Sequence, residues 1–115
     1  MIRLVQLLLV LGLMAGCSGA VDDQPVVPVS QMLAGQQAYQ NACAGCHEEG
    51  VDGAPATGDP EAWSGRSSLW VAVLEEHAKE GYLGMPAQGN GSTDEEISAA
   101  TTYMLTLTHP EQRPE

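Results

Sequence analysis

Cys43-Ala44-Gly45-Cys46-His47 puts two thiols three positions apart, with an imidazole directly behind the second. On one helical turn that spacing carries both sulfurs to the same side, within reach of a single planar group. A thioredoxin-like redox pair would follow a strand and open a helix inside a βαβ unit, and no such pattern flanks this stretch. Zinc would need further ligands; His77 and His109 remain, and neither stands at knuckle spacing. A disulfide between Cys43 and Cys46 would close a very small, strained loop. The C-x-x-C-H order is the signal for covalent haem attachment. Its two thiols form thioethers with the two vinyl groups, and His47 is directed at the iron from the proximal side as a neutral imidazole.

Outward from this stretch the chain reads as all-α. Ser30 reads as the N-cap for a helix over Met32–Ala42. Gly58 and Pro60 give Ala56–Pro60 turn chemistry, and Pro60 can open a short helix. Ser67–Glu80 has helical period: Leu69, Trp70, Val73, Leu74 and His77 share one face, and Glu75, Glu76, Lys79 and Glu80 lie opposite or beside it. Gly81 stops that helix, and 81–91, with four glycines and Pro86, is a loop. Thr93-Asp94-Glu95-Glu96 is a capping box with acids in the first turn. Ile97, Ala100, Met104 and Leu107 follow at helical spacing until Pro110. No stretch alternates as a strand does. With 115 residues, no Phe and two Trp, this is one small domain with a thin core, the kind that needs a metal, disulfide or cofactor to hold together.

The N-terminus reads as an export signal. Arg3 supplies the positive start, and Leu4–Met14 is an apolar run too short for a bilayer, which takes about 20 residues. Leu13-Met14-Ala15-Gly16-Cys17 resembles a bacterial lipoprotein signal, in which the cysteine is lipidated and becomes the mature N-terminus. Ordinary cleavage near Gly16 or Ala20, giving a free periplasmic product, is the competing reading. The expected division is therefore a signal peptide at 1–16, lipidated Cys17 with a flexible linker at 17–29, a folded domain at 30–110 and a tail at 111–115. Ser18 after Cys17, where enteric bacteria use Asp to retain lipoproteins elsewhere, points to the outer membrane. Cys17 in the anchor and Cys43 and Cys46 on haem account for all three cysteines.

Charge excludes further functions. Fifteen Asp and Glu against four Lys and Arg give a net charge of −11, a surface that repels nucleic-acid phosphates. Once Arg3 is removed, Arg66, Lys79 and Arg113 are the remaining cations. No nucleophile–base pair stands out, and Glu75, Glu76 and Glu80 are a solvated helix face, so the chain does not read as an enzyme. A partner with a basic patch fits instead.

For a second axial ligand, Met85 in Gly84-Met85-Pro86 is the best placed, because a glycine-rich loop lets a thioether come close to iron. Met32 and Met104 lie on helices and read as core. His77 is the rival ligand, though a His on a mostly apolar helix face is more simply a packing residue; His109, past the last helix, reads as solvated.

These residues resemble a small monohaem c-type cytochrome, of the bacterial cytochrome c-five-like subgroup. The resemblance spans Met32–Leu107. Its motifs are C-A-G-C-H, then G-A-P-A-T-G-D-P-E-A-W-S-G-R, G-M-P-A-Q-G-N and S-T-D-E-E-I with Y-M-L. It implies the cytochrome c fold, short helices wrapped around one haem held by Cys43 and Cys46, with His47 and Met85 as axial ligands. Trp63 and Arg66 match positions near the haem propionates, and Pro55 matches the proline whose carbonyl takes the ring N–H of the axial His. Gly35 and Tyr39 match a small residue and an aromatic packed on the C-terminal helix, with Tyr103 the expected contact. The extra cysteine pair of some members is missing, and the 67–80 helix is unusually acidic outside. The implied function is outer-sphere one-electron transfer between Fe(II) and Fe(III), as a monomer, to an oxidase, a reductase or another cytochrome. A haem subunit through which electrons enter a larger complex, and a haem-based gas or redox sensor, are the alternatives.

Overall fold

The structure, a computed structural model, describes residues 27–66 and 71–111. The expected leader, Cys17, most of the linker, Leu69, Trp70 and Arg113 lie outside these residues. Within them the chain forms α1 (Val29–Ala42), a single turn α2 (Ala44–His47), a 3-10 turn (Val51–Gly53), α3 (Val71–Glu80), a second 3-10 turn (Ala87–Asn90) and α4 (Asp94–Thr108). No strand occurs among the described residues; one isolated antiparallel bridge joins Tyr82 and Met85.

Helix α1 begins one residue before the expected cap. Pro28, not Ser30, sits at the N-cap with ψ 143°, and its carbonyl accepts from the Met32 amide at 3.0 Å. A proline there has fixed φ and an extended ψ, so the helix starts at once without a capping side chain. Gly35, Ala38 and Tyr39 form its buried face, packed on α4. A Cβ on Gly35 would meet the Ala99 carbonyl oxygen and, at 2.8 Å, the Cβ of Tyr103. The two backbones approach that closely only because position 35 carries no side chain. Tyr39 and Tyr103 meet beside the crossing, ring centroids 5.4 Å apart and tilted by 45°, as the resemblance implied.

Helix α4 starts on the expected capping box. Thr93 Oγ1 accepts from the Glu96 amide at 3.2 Å, and the Glu96 carboxylate accepts from the Thr93 amide at 2.8 Å. Ile97, Ala100 and Met104 are buried as expected, but Leu107 is exposed and Leu105 and Thr108 turn inward. The Thr108 hydroxyl explains the difference: it accepts from the Gly58 amide at 3.0 Å and donates to the Met104 carbonyl at 2.8 Å. A polar tie to the 56–59 loop therefore sets which face of the last turn is covered. His109, expected in solvent, is mostly covered, with Nδ1 3.2 Å from the Glu111 carboxylate.

Helix α3 leans on α4 through polar side chains as well as Leu74. Glu75, expected among the solvated acids, is half-buried and accepts from the Ser98 hydroxyl at 2.8 Å. Lys79 reaches Asp94 at 3.4 Å. Pro60 opens turns rather than a helix: Asp59 Oδ1 accepts from the Glu61 and Ala62 amides at 3.0 and 3.2 Å and holds the reversal.

The core is thin. Ala38, Tyr39, Ala44, Trp63, Ala100 and Met104 form its cluster, half of them alanines.

Candidate haem site

The site begins where α1 ends. Cys43 closes that helix, its amide donating to the Tyr39 carbonyl at 2.8 Å, and its own carbonyl starts the next turn by accepting from Cys46 at 3.2 Å and His47 at 3.0 Å. Both thiols and the imidazole therefore belong to one turn. Ala44, buried in the core, points that turn's other side inward. Cys43 is half-buried and Cys46 exposed, and both thiols are free. Before haem is attached, burial holds the Cys43 thiol above its usual pKa.

His47 is oriented by the chain that follows it. Its Nδ1 lies 2.9 Å from the Pro55 carbonyl oxygen. A carbonyl can only accept, so Nδ1 carries a proton and Nε2 is the ring nitrogen left to hold a metal. The contact expected of Pro55 is thus present. The intervening loop turns through left-handed Gly50, Asp52 and Gly53 and is pinned by the Thr57 amide donating to the His47 carbonyl at 2.6 Å. Trp63, 8% exposed, braces the same segment: its indole N–H donates to the Ala56 carbonyl at 2.8 Å, and its ring stacks near His47 at 6.1 Å. Arg66 is exposed just after it. The structure therefore brings Cys43, Cys46, His47, Pro55 and Trp63 into one assembly.

Met85 comes from the loop between α3 and α4. It is half-buried, and its backbone pairs both ways with Tyr82: Met85 N–H to the Tyr82 carbonyl at 2.9 Å, Tyr82 N–H to the Met85 carbonyl at 3.1 Å. Gly81 makes this possible. It is left-handed at φ +84°, and a Cβ there would press on the Met85 carbonyl at 3.1 Å and the Ala87 amide at 3.2 Å. His77, the rival ligand, lies flat on Tyr82, centroids 4.0 Å apart and planes 7° from parallel. Sequence reasoning did not anticipate that stack, which pairs residues five apart across a helix end.

A family profile described as "Cytochrome C oxidase, cbb3-type, subunit III" matches residues 30–104. The chain is a small monohaem c-type cytochrome. Its relatives include a cytochrome c-555 of Chlorobaculum tepidum, 37% identical over 78 residues, which is 63% of this chain and 72% of that one. The reduced cytochrome c551 of Ectothiorhodospira halophila superposes with a TM-score of 0.56 at 35% identity, covering 64% of this chain and 97% of that one. A chain from an electron-transfer complex of nitrite reductase with cytochrome c gives a TM-score of 0.62 at 34% identity, covering 66% and 95%.

The fold of this cytochrome is that of the class I cytochromes c, and it carries a single covalent haem c on the Cys43–Cys46 turn. The donor set fits that group: two free thiols on one turn, an imidazole in the tautomer that offers Nε2, and a core too small to manage well alone. It is a haem c electron carrier.

Proposed function

We propose that this cytochrome shuttles single electrons with His47 and Met85 as the two axial ligands. The observation that carries the reading is the 2.9 Å contact from His47 Nδ1 to the Pro55 carbonyl, which fixes ring orientation and tautomer before any metal is bound. Haem c supplies one-electron exchange between Fe(II) and Fe(III). Cys43 and Cys46 hold it in place, and His47 offers a neutral nitrogen. Met85 brings a soft thioether from a turn that its own backbone locks. With His47 and Met85 both holding the iron, no position would be left for a small molecule, which separates a carrier from a gas sensor. Trp63 and Arg66 belong near the propionates, with Arg66 the charge that suits a carboxylate.

The domain over 30–110 is exported and, through lipidated Cys17 and the linker that leads to the cap of α1, tethered on the periplasmic side, at the outer membrane. Among the described residues no helix is long and apolar enough to cross a membrane. The ten residues 18–27 between Cys17 and the cap of α1 reach about 17 Å on average, enough for a monomer to meet partners without leaving its anchor. The net charge of −11 favours partners with a basic docking patch.

The test is a redox titration of the haem-loaded protein, followed by exposure of the ferrous form to carbon monoxide. A single one-electron step and an unchanged ferrous spectrum are expected. Rapid CO binding at neutral pH would overturn the closed-carrier reading in favour of a sensor. A second reading, a haem subunit of a larger redox complex, is favoured by the oxidase-subunit description of the matching family. It predicts co-purification that survives high salt, whereas a free carrier dissociates.

A further inference from the structure

We propose that His77 and Tyr82 form a clamp that positions Met85, an inference that rests on Met85 being the axial ligand. Three observations carry it. The two rings stack face to face at 4.0 Å and within 7° of parallel. Tyr82 and Met85 exchange both backbone hydrogen bonds, so wherever Tyr82 is held, Met85 is held. Between them Leu83 is left-handed at φ +52° and 91% exposed, a conformation that a branched side chain disfavours and that the surroundings must enforce.

The enforcement is traceable to the helices. Glu75 and Lys79, two residues either side of His77, tie α3 to α4 through Ser98 and Asp94. His77 therefore stands on an anchored stretch. Gly81 reverses the chain with its positive φ and lays Tyr82 back over the imidazole. The stack then closes the turn carrying Met85 onto the end of α3. His77 is a positioning residue acting through Tyr82, not a ligand of its own.

The test compares the haem-loaded parent with His77→Ala, Tyr82→Ala and the ring-preserving His77→Phe. Two quantities are read. One is the denaturant midpoint at which the weak near-red band of thioether-ligated ferric haem disappears, set against the midpoint of helix loss. The other is hydrogen exchange of the Met85 amide. In the two alanine variants the band is expected to vanish at lower denaturant than the helices unfold, with Met85 exchange faster by about tenfold, the size expected for one lost aromatic stack. His77→Phe is expected to restore both. If the parent shows the band and His77→Ala leaves both quantities at parental values, the clamp is wrong while the Met85 ligand stands. A parent with no band overturns the ligand reading, and the positioning role with it, whatever the amide does.

Discussion

Gly35 shows how one residue sets the spacing of this molecule. Alanine there would gain about 1 kcal/mol of helix propensity. Its Cβ would also meet the Ala99 carbonyl oxygen and the Tyr103 Cβ, neither of which is the loose end of a side chain. Overpacking of that kind costs about 1–3 kcal/mol, with more where backbone must move, so the clash wins. Gly35→Ala should lower the thermal midpoint by several degrees, since about 1 kcal/mol moves a domain of this size by about 4–8 °C; a raised midpoint in calorimetry would show that the helices are not in contact there. Tyr39, 4% exposed beside that crossing, makes a pH prediction. Burial, its largest influence, and the nearby Glu48 push its phenol above the usual 10.0, with the Thr57 hydroxyl offsetting part. Below pH 10 both folded and unfolded chains keep the proton, so Tyr39 adds no pH dependence. Above it the unfolded chain releases the proton first, and stability falls as pH rises. Denaturation at about pH 9 and about pH 11 should show a larger loss in the parent than in Tyr39→Phe. Equal losses would contradict the assignment.

At the scale of elements, much was legible in advance and the exceptions have physical causes. The capping box at Thr93–Glu96 and the Gly81 stop stand out because each is a local pattern with a local mechanism. The Cys43–His47 turn and the Pro55 contact followed from the motif and the resemblance. The inward face of α4 was misjudged at Leu107 because hydropathy ranks leucine above threonine, and only the fold reveals that Gly58 needs the Thr108 hydroxyl. Glu75 was misjudged for the same reason, its partner Ser98 being 23 residues away. Left-handed Asp52, Leu83 and Gln88 each precede a glycine, a signal too common to read alone. Thr108→Val keeps the shape and strands the Gly58 amide, so it should cost about 1–3 kcal/mol in denaturant unfolding. A change within about 0.5 kcal/mol, the range of neutral surface substitutions, would mean that water replaces the bond.

At the scale of the whole molecule, charge and cofactor dominate. Fifteen carboxylates against four cations make encounter with a basic redox partner strongly attractive. Raising ionic strength shortens the screening length from about 30 Å at 0.01 M to about 8 Å at 0.15 M. The bimolecular electron-transfer rate with such a partner should therefore fall by about tenfold or more between those salts in stopped-flow experiments. A flat salt profile would point to an apolar docking face instead. The thin core, half of whose buried cluster is alanine, is consistent with a domain built to close around its haem. Closure of the iron by His47 and Met85 together is the proposal on which the carrier role rests. The most direct measurement is the absorption spectrum of the haem-loaded protein, oxidised and reduced, beside Met85→Ala. If both residues are ligands, the ferric parent shows a weak near-red band that is missing from the variant, whose ferrous form then binds CO. A parent spectrum without that band, or a variant that retains it, would mean that Met85 is not the ligand.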